Sequence, residues 1–463
     1  MKRFHAATIA VDTYRLLHAT TLCLVSTMLR VFTLWDTHEV TMQKATSPEY
    51  RVSVDLLRPG VFIRLDRANW FDHPFLFNRF KLKDDEQIAL LRKLGIEEVT
   101  CVPEKCDVLP LRPEEAKAQA EVVDQSLGQE VIDHLWEVKR ERTRRLREKK
   151  ERIAVCEERF SGCIKEFDNI LAGVLGAQSH AAQDAIAFVG RLVDSFLDDR
   201  ESTLHLMNVM DQREQAYSHH MNVAVLALMV GKEDGLSSDD MLALGLGALF
   251  HDIGKERIPK KILKKRGKLT RPEQEMLDQH PAFGAAALSN NPAFPKRSAR
   301  IVAHHHERMD GSGGPEGLSG DEIDRLARIV AVANAYDNYT NHSDPDQALT
   351  PYLALSYMFG QQKHLFDLEL LALFIRCLGV YPPGTVVELT NGAVGMVMAV
   401  NPKNQLNPSV VLYDPQVPKK EALIVDLTEE RDLRVEKSIR VSRLSPEAFE
   451  YLSPRSKITY FVD

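Results

Sequence analysis

Between His219 and His306 the chain places seven of its 16 histidines within 88 residues, several of them where an apolar helical run ends. The sharpest case is Leu249-Phe250-His251-Asp252-Ile253-Gly254-Lys255. Ser237-x-x-Asp240 can cap a helix running to Phe250, with Met241, Leu242, Leu244, Leu246, Ala248 and Leu249 as its apolar faces. A buried helix end has little reason to set an imidazole beside a carboxylate unless something cationic satisfies both. His219 lies early on another helix, in Ser218-His219-His220-Met221-Asn222-Val223, and His280 and His304-His305-His306-Glu307 each end an apolar stretch. Taken singly, each histidine reads more readily as a core or surface residue. Taken together, with Asp252 beside one and Lys255 three residues on, they read as metal ligands. Imidazole nitrogen with carboxylate oxygen suits iron, manganese or zinc. A bridging carboxylate is what holds two cations about 3.5–4 Å apart so that they clamp a phosphodiester. Asp252 is the natural bridge.

The rest of the chain bounds the setting. Its 463 residues allow two to four domains at roughly 100–200 residues each. Hydrophobic residues at 44% and charged residues at 27% are ordinary for a globular protein and exclude a disordered, collagen-like or multi-span membrane chain. A net charge of −7 argues against a nucleic-acid coat, so no nucleic-acid polymer is expected as partner. Six scattered cysteines fit reduced thiols in a cytoplasm, and Cys101 with Cys106 lacks the second pair that a zinc site needs. In residues 1–48, Arg15 and Arg30 bracket only 14 residues, short of the ~20 a spanning helix requires. No Ala-x-Ala cleavage site follows, so 1–48 reads as a tail or start-site extension rather than a membrane anchor.

The expected fold is mainly α. Residues 49–112 read as a small α/β module: Val52 and Val54 alternate, Pro59-Gly60 turns, Val61, Ile63 and Leu65 alternate, and Phe75-Leu76-Phe77 follows. Asp84-Asp85 then caps a helix over Glu86–Leu94, Gly95 ends it, and Ile96–Val102 returns as a strand. Residues 113–200 read as a charged helical linker. From Glu137 to Arg152 it holds nine basic and four acidic residues, read as a solvated helix with internal ion pairs. Residues 201–380 are helical, with Thr270-x-x-Glu273 a capping box and further helices over Ala327–Tyr339 and Leu365–Leu378. Residues 381–463 read as a β appendix and tail, with a hairpin around Asn391-Gly392 and strands at Val410–Tyr413 and Leu423–Leu427.

His251-Asp252-Ile253-Gly254-Lys255, followed by Ile258-Pro259, Ile262-Leu263, Lys268-Leu269-Thr270, His280-Pro281 and Gly284, resembles the HD superfamily and specifically its HD-GYP branch. His305-His306-Glu307-Arg308-Met309-Asp310-Gly311-Ser312-Gly313-Gly314-Pro315 is similar to that branch's second signature, and Ala327–Ala333 with Tyr336-Asp337 to the helix that follows. Residues 51–103 resemble the N-terminal domain of unknown function (DUF3391) fused to it, and 381–402 the β extension of the same architecture. The resemblance implies a bacterial cytoplasmic phosphodiesterase that opens cyclic di-GMP to pGpG and/or GMP, with two divalent ions, iron or manganese, zinc being accepted too. His219, His251 and Asp252 would hold one ion, with Asn334 a weak ligand; Asp252, His280, His305 and His306 would hold the other. Lys255 would contact the scissile phosphate and assist the leaving group as a catalytic residue with Asp252, while Arg308 and Asp310 would join Lys255 in binding substrate. Residues 255–268 carry eight Lys or Arg against Glu256 alone, a patch that can attract a dianionic dinucleotide. A signalling protein docking on the 311–318 loop and a homodimer are the further partners.

Four departures bear on activity. Asn334 stands where the family has a metal-ligating Asp, which removes a full charge. Gly314 replaces the Tyr of Gly-Tyr-Pro, and Ser343 replaces an Arg that holds phosphate, a group hard to replace in bidentate contact. Gln215 replaces the Glu of three-metal members, so no third ion is expected. Two readings stay open: a slow phosphodiesterase, or a degenerate module that binds a nucleotide or protein without turnover. A phosphohydrolase of another nucleotide is a smaller third.

Overall fold

The computed structural model describes residues 48–65, 73–75, 78–113, 129–208, 215–265, 267–342, 347–401, 403–415, 417–419, 422, 424–430 and 433–452. The tail at 1–47, Leu76, Phe77 and Ser343 lie outside them. The fold is mainly α, as expected, with two small sheets.

The first sheet contains β1 (Tyr50–Ser53), β2 (Phe62–Arg64), β3 (Arg79–Lys81) and β4 (Glu98–Cys101), all antiparallel in the order β1-β4-β2-β3. Val54 leaves the expected alternation, because Ser53 accepts a hydrogen bond from the Asp55 amide and starts a 3-10 turn over Val54–Leu56. Asp84 caps α1 (Asp85–Lys93) by accepting from the Gln87 amide at 2.9 Å. Gly95, at φ +70°, turns the chain out of that helix.

A 47-residue helix, α2 (Gln129–Leu175), follows, about 70 Å long at the usual rise. Its start closes the module: Ile132 enters the core formed by Val61, Ile63, Leu82 and Leu91, with Leu135 and Trp136 against it. The positions at i, i+3 and i+4 share one helix face, which is why these three meet the core together. The basic run has two characters. Arg144 pairs with Glu141 at 2.7 Å and Glu148 at 2.6 Å, the solvated pattern expected. On the packed side, Lys139 donates to the His73 carbonyl at 2.7 Å, and Arg142 pairs with Glu429 at 3.1 Å and Glu430 at 3.2 Å. A dense run must populate every face of a helix, so packing one face buries some of its charges. The solvated-helix reading therefore holds for one face only.

The helical elements that follow are α3 (Ala181–Phe196), α4 (Arg200–Asn208), α5 (Gln215–Glu233), α6 (Ser238–Leu249), α7 (Lys260–Leu263), α8 (Arg271–Leu277), α9 (His280–Ser289), α10 (Lys296–His304), α11 (Arg325–Thr340), α12 (Pro351–Gly360) and α13 (Leu368–Leu378). In α5 every residue from Met221 to Val230 is buried, and α11 is buried from Leu326 to Asp337 apart from Arg328. Helices apolar on all sides belong at the centre of a bundle. Ser237 caps α6, and the Thr270–Glu273 box caps α8, as the sequence predicts.

The second sheet contains β5 (Val386–Leu389), β6 (Val394–Ala399), β7 (Ser409–Leu412), β8 (Ile424–Asp426) and β9 (Val435–Ile439), antiparallel in the order β8-β7-β6-β5-β9. The Asn391-Gly392 hairpin sets Val386 opposite Met396. Nothing in the sequence marks β9: Val435-Glu-Lys-Ser-Ile439 is a polar edge strand without a clear apolar alternation. A last helix, α14, spans Pro446–Leu452.

The chain forms two compact units, cut differently from the sequence boundaries. One comprises Ile153–Thr385 with Val400–Gln405 and holds the helices from α3 to α13. The other joins residues 48–152 to Val386–Ala399 and residues 406–452, so the α/β module and the β appendix belong together. Within it Asn78 donates to Asp414 at 2.9 Å, and Lys105 donates to the Asn391 carbonyl. Among the described residues no helix is long and apolar enough to cross a membrane.

Candidate metal centre

The histidines are aimed by the ends of their helices. His251-Asp252 follows α6 in the turn before the 3-10 segment Ile253–Arg257. His251 Nδ1 lies 2.7 Å from the Ala248 carbonyl, His280 Nδ1 2.7 Å from that of Leu277, and His305 Nδ1 2.8 Å from that of Val302. Each carbonyl lies three residues back at a helix end, where backbone oxygens lack an intrahelical partner. A carbonyl only accepts, so each Nδ1 carries the proton and each Nε2 presents a lone pair. Gly254 makes the assembly possible. A Cβ there would lie 1.9 Å from the His280 carbonyl oxygen and 2.7 Å from the Gly284 amide nitrogen.

His219 comes in from α5. Its Nδ1 is 2.6 Å from Asp337 Oδ2 on α11, and Asp337 Oδ1 accepts from Asn222 at 2.9 Å and Asn341 at 2.8 Å. Neither Asp337 nor Asn222 was assigned a role from sequence. Their helical spacing held the signal: Asn222 is one turn past His219, and Asp337 one turn past Asn334.

Asp252 is the centre of the cluster. Its Oδ2 lies 3.5 Å from His251 Nε2 and 3.7 Å from His219 Nε2, and pairs with the Lys255 ammonium. Its Oδ1 lies 3.2 Å from His280 Nε2 and 3.7 Å from His305 Nε2. The buried Oδ1 accepts no hydrogen bond, which follows if the imidazole nitrogens facing it carry no proton. The Nε2 atoms of His219 and His251 are 3.2 Å apart, and those of His280 and His305 are 3.4 Å apart. Lone pairs converging on one another and on an orphaned carboxylate oxygen repel unless a cation sits among them. Two groups of donor atoms result, each within 4.8 Å: His219, His251 and Asp252; and Asp252, His280, His305 and His306. The donor set fits metal.

The electrostatics agree. Burial pulls the His251 and His305 imidazoles below their ordinary value and His306 down to about 2, so they are neutral and free to ligate. Burial acts downward on His219 too, but Asp337 and then Asp252 outweigh it and raise that imidazole. For Asp252, burial acts upward, yet its carboxyl is held well below the usual range, with the Lys255 ammonium paired to its Oδ2.

Residues 203–370 match the HD domain family, which is metal-dependent, and residues 49–185 match a domain of unknown function, DUF3391. A cyclic di-GMP phosphodiesterase of Pseudomonas aeruginosa is 30% identical over 366 residues, covering 78% of this chain and 84% of that one. The chain belongs to the HD-GYP family. Another HD-GYP relative, the cyclic di-GMP phosphodiesterase response regulator RpfG of Xanthomonas campestris, is 35% identical over 191 residues, covering 40% of this chain and 50% of that one. A 3'3'-cGAMP-specific phosphodiesterase of Vibrio cholerae is 32% identical over 164 residues, 35% of each chain.

The remaining HD-GYP positions lie on α11 and in the stretch that follows His306. Asn334 is buried on α11, its Oδ1 accepting from Asn338 at 2.7 Å. Arg308 follows the two histidines with its guanidinium 5.4 Å above the Phe366 ring, and its charge lowers His306. Arg308 Nη1 is buried with no hydrogen-bond acceptor, and burial pulls that guanidinium's pKa down. Asp310 is exposed and accepts from the Ser312 amide at 3.0 Å and its hydroxyl at 2.6 Å. Buried Glu307, which the sequence analysis passed over, accepts from the Glu316 and Leu318 amides at 2.7 and 3.0 Å and so holds the 311–318 loop. His220 packs on Phe167 and His304 faces Glu316 at 3.4 Å, outside both donor groups. The Gln215 side chain and all of Ser343 lie outside the described residues.

Proposed function

We propose that this chain hydrolyses cyclic di-GMP to pGpG and/or GMP at a two-metal centre bridged by Asp252. The observation that carries the reading is the Asp252 carboxylate, whose two oxygens face separate pairs of imidazole Nε2 atoms. One ion would be held by His219, His251 and Asp252 with Asn334 as a weak ligand, the other by Asp252, His280, His305 and His306. Iron and manganese suit these donors, and zinc accepts them too. Bound there, the ions would supply Lewis acidity and an activated water.

The protein's own groups handle the dinucleotide. Lys255 keeps its ammonium at Asp252 Oδ2, the edge where the scissile phosphate would lie, and supplies positive charge to the leaving oxygen. Arg308 offers a buried N–H lacking an acceptor, which a phosphate oxygen would satisfy. Asp310 joins the substrate site through the loop that its Ser312 contacts brace. A signalling protein docking on the 311–318 loop, a homodimer and a cytoplasmic location complete the proposal.

One observation favours the second reading, a regulatory module without turnover: Asn334 is neutral and its oxygen already engaged by Asn338. The test is the purified full chain with Mn(II) or Fe(II), incubated with cyclic di-GMP or 3'3'-cGAMP and followed by chromatography. The phosphodiesterase reading expects linear pGpG, with cyclic di-GMP consumed faster than 3'3'-cGAMP. Cyclic di-GMP left intact over hours, yet bound in calorimetry, would establish the regulatory module instead.

A further inference from the structure

The unit that joins the two sheets contains a cavity of about 410 Å3, lined by β2 and β3, the start of α2 and the turn after β5. That volume lies in the range of small-molecule sites. Its apolar wall is aromatic. Phe62 and Phe75 are buried, Phe75 and Phe80 pack with centroids 4.8 Å apart and planes tilted by 31°, and Leu135 of α2 adds to the wall.

Its polar side is cationic and incompletely neutralised. Lys81 is held by Asp107 at 2.7 Å and Lys83 by Glu430 at 3.7 Å, but Arg79 pairs with no carboxylate among the described residues. Lys105 stands 5.5 Å over the Phe62 ring and donates only to a neutral carbonyl, that of Asn391. Burial, and then the charge of Arg79, pull the Lys105 pKa down against the smaller upward pulls of Glu388, Glu436 and Glu49, and both cations line the cavity. Of the acids at the rim, Glu430 is already engaged by Arg142 at 3.2 Å, and Glu104 is exposed. An aromatic wall facing two like charges matches a flat ring bearing an anion.

We propose that this cavity binds a small planar aromatic molecule carrying one anionic group, its ring against Phe62, Phe75 and Phe80 and its anion between Arg79 and Lys105. The anion is a carboxylate or a phosphate. The proposal does not rest on the metal-centre reading.

The test is calorimetry on the full chain with naphthoate, naphthyl phosphate and neutral naphthalenemethanol. The site should take one molecule per chain and bind at least one of the anions about tenfold tighter than the neutral analogue; which anion binds tighter identifies the group. Arg79→Ala should abolish that preference while leaving naphthalenemethanol binding unchanged, and Phe80→Ala should weaken all three. Arg51→Ala, an exposed cation on β1 that does not line the cavity, should change nothing. Absence of binding by all three probes, equal affinity for neutral and anionic probes, or an anion preference that survives Arg79→Ala would overturn the proposal.

Discussion

A metal-ligating imidazole is only as well placed as the group behind it. Of the candidate ligands, His251, His280 and His305 lean on backbone carbonyls, but His219 leans on a carboxylate, Asp337, which Asn222 and Asn341 hold in turn. Partners of this kind typically contribute 10–100-fold in metal affinity. Asp337→Asn should therefore weaken Mn(II) binding about tenfold or more, measured by competition with a chelating dye; unchanged affinity would remove Asp337 from the centre. Asn334 poses the complementary question. Asn334→Asp restores a negative charge on the same helix face one turn earlier, and should raise both metal occupancy and turnover. No gain in either would show that Asn334 is not the limiting residue. The candidate donors were legible because His251-Asp252 and His305-His306 stand where apolar helical runs end. The sequence hid Asp337 and Glu307 because a lone acidic residue on a helix or loop looks the same whether it braces a site or meets water.

Between elements, the tightest constraint is the contact between the turn after α6 and the start of α9. Gly254→Ala would force a Cβ into the His280 carbonyl, so the turn or the helix must move. Loss of about 3 kcal/mol or more is expected in urea unfolding, with metal binding weakened as His251 and His280 separate. An unchanged midpoint would contradict that packing. On α2, Lys150 donates to the Lys419 carbonyl at 3.2 Å, and burial, then Lys419, push its pKa down to about 8. The unfolded chain keeps this proton up to about 10.5, so it binds more protons than the folded chain between those values. Stability should therefore rise as pH goes from 8 to 10.5. Lys150→Met should flatten that rise and stabilise the protein at pH 7; thermal melts across this range check it, and a slope that Lys150→Met leaves intact would refute the assignment. Caps such as Ser237 and Thr270–Glu273 were legible because they satisfy a local rule. The packed side of α2 and the edge strand β9 were not, because their partners are distant in sequence: Arg142 meets Glu430, 288 residues on, and β9 meets β5 across the intervening strands β6 to β8.

For the molecule as a whole, the sequence named the mainly helical class and the family, and it listed both donor groups before any geometry was available. It did not show that the α/β module and the β appendix form one unit, since nothing local in either marks the other. That unit carries its own aromatic, cationic cavity, while the helical unit carries the metal donors. The account depends most on Asp252 as a shared ligand. Metal content per chain after anaerobic loading and desalting, compared between the wild type and Asp252→Asn, tests this most directly. The account predicts about two ions per chain for the wild type, and the loss of most of both in the variant, because its two oxygens serve both sites. A single ion in the wild type, or full retention of metal by Asp252→Asn, would contradict it.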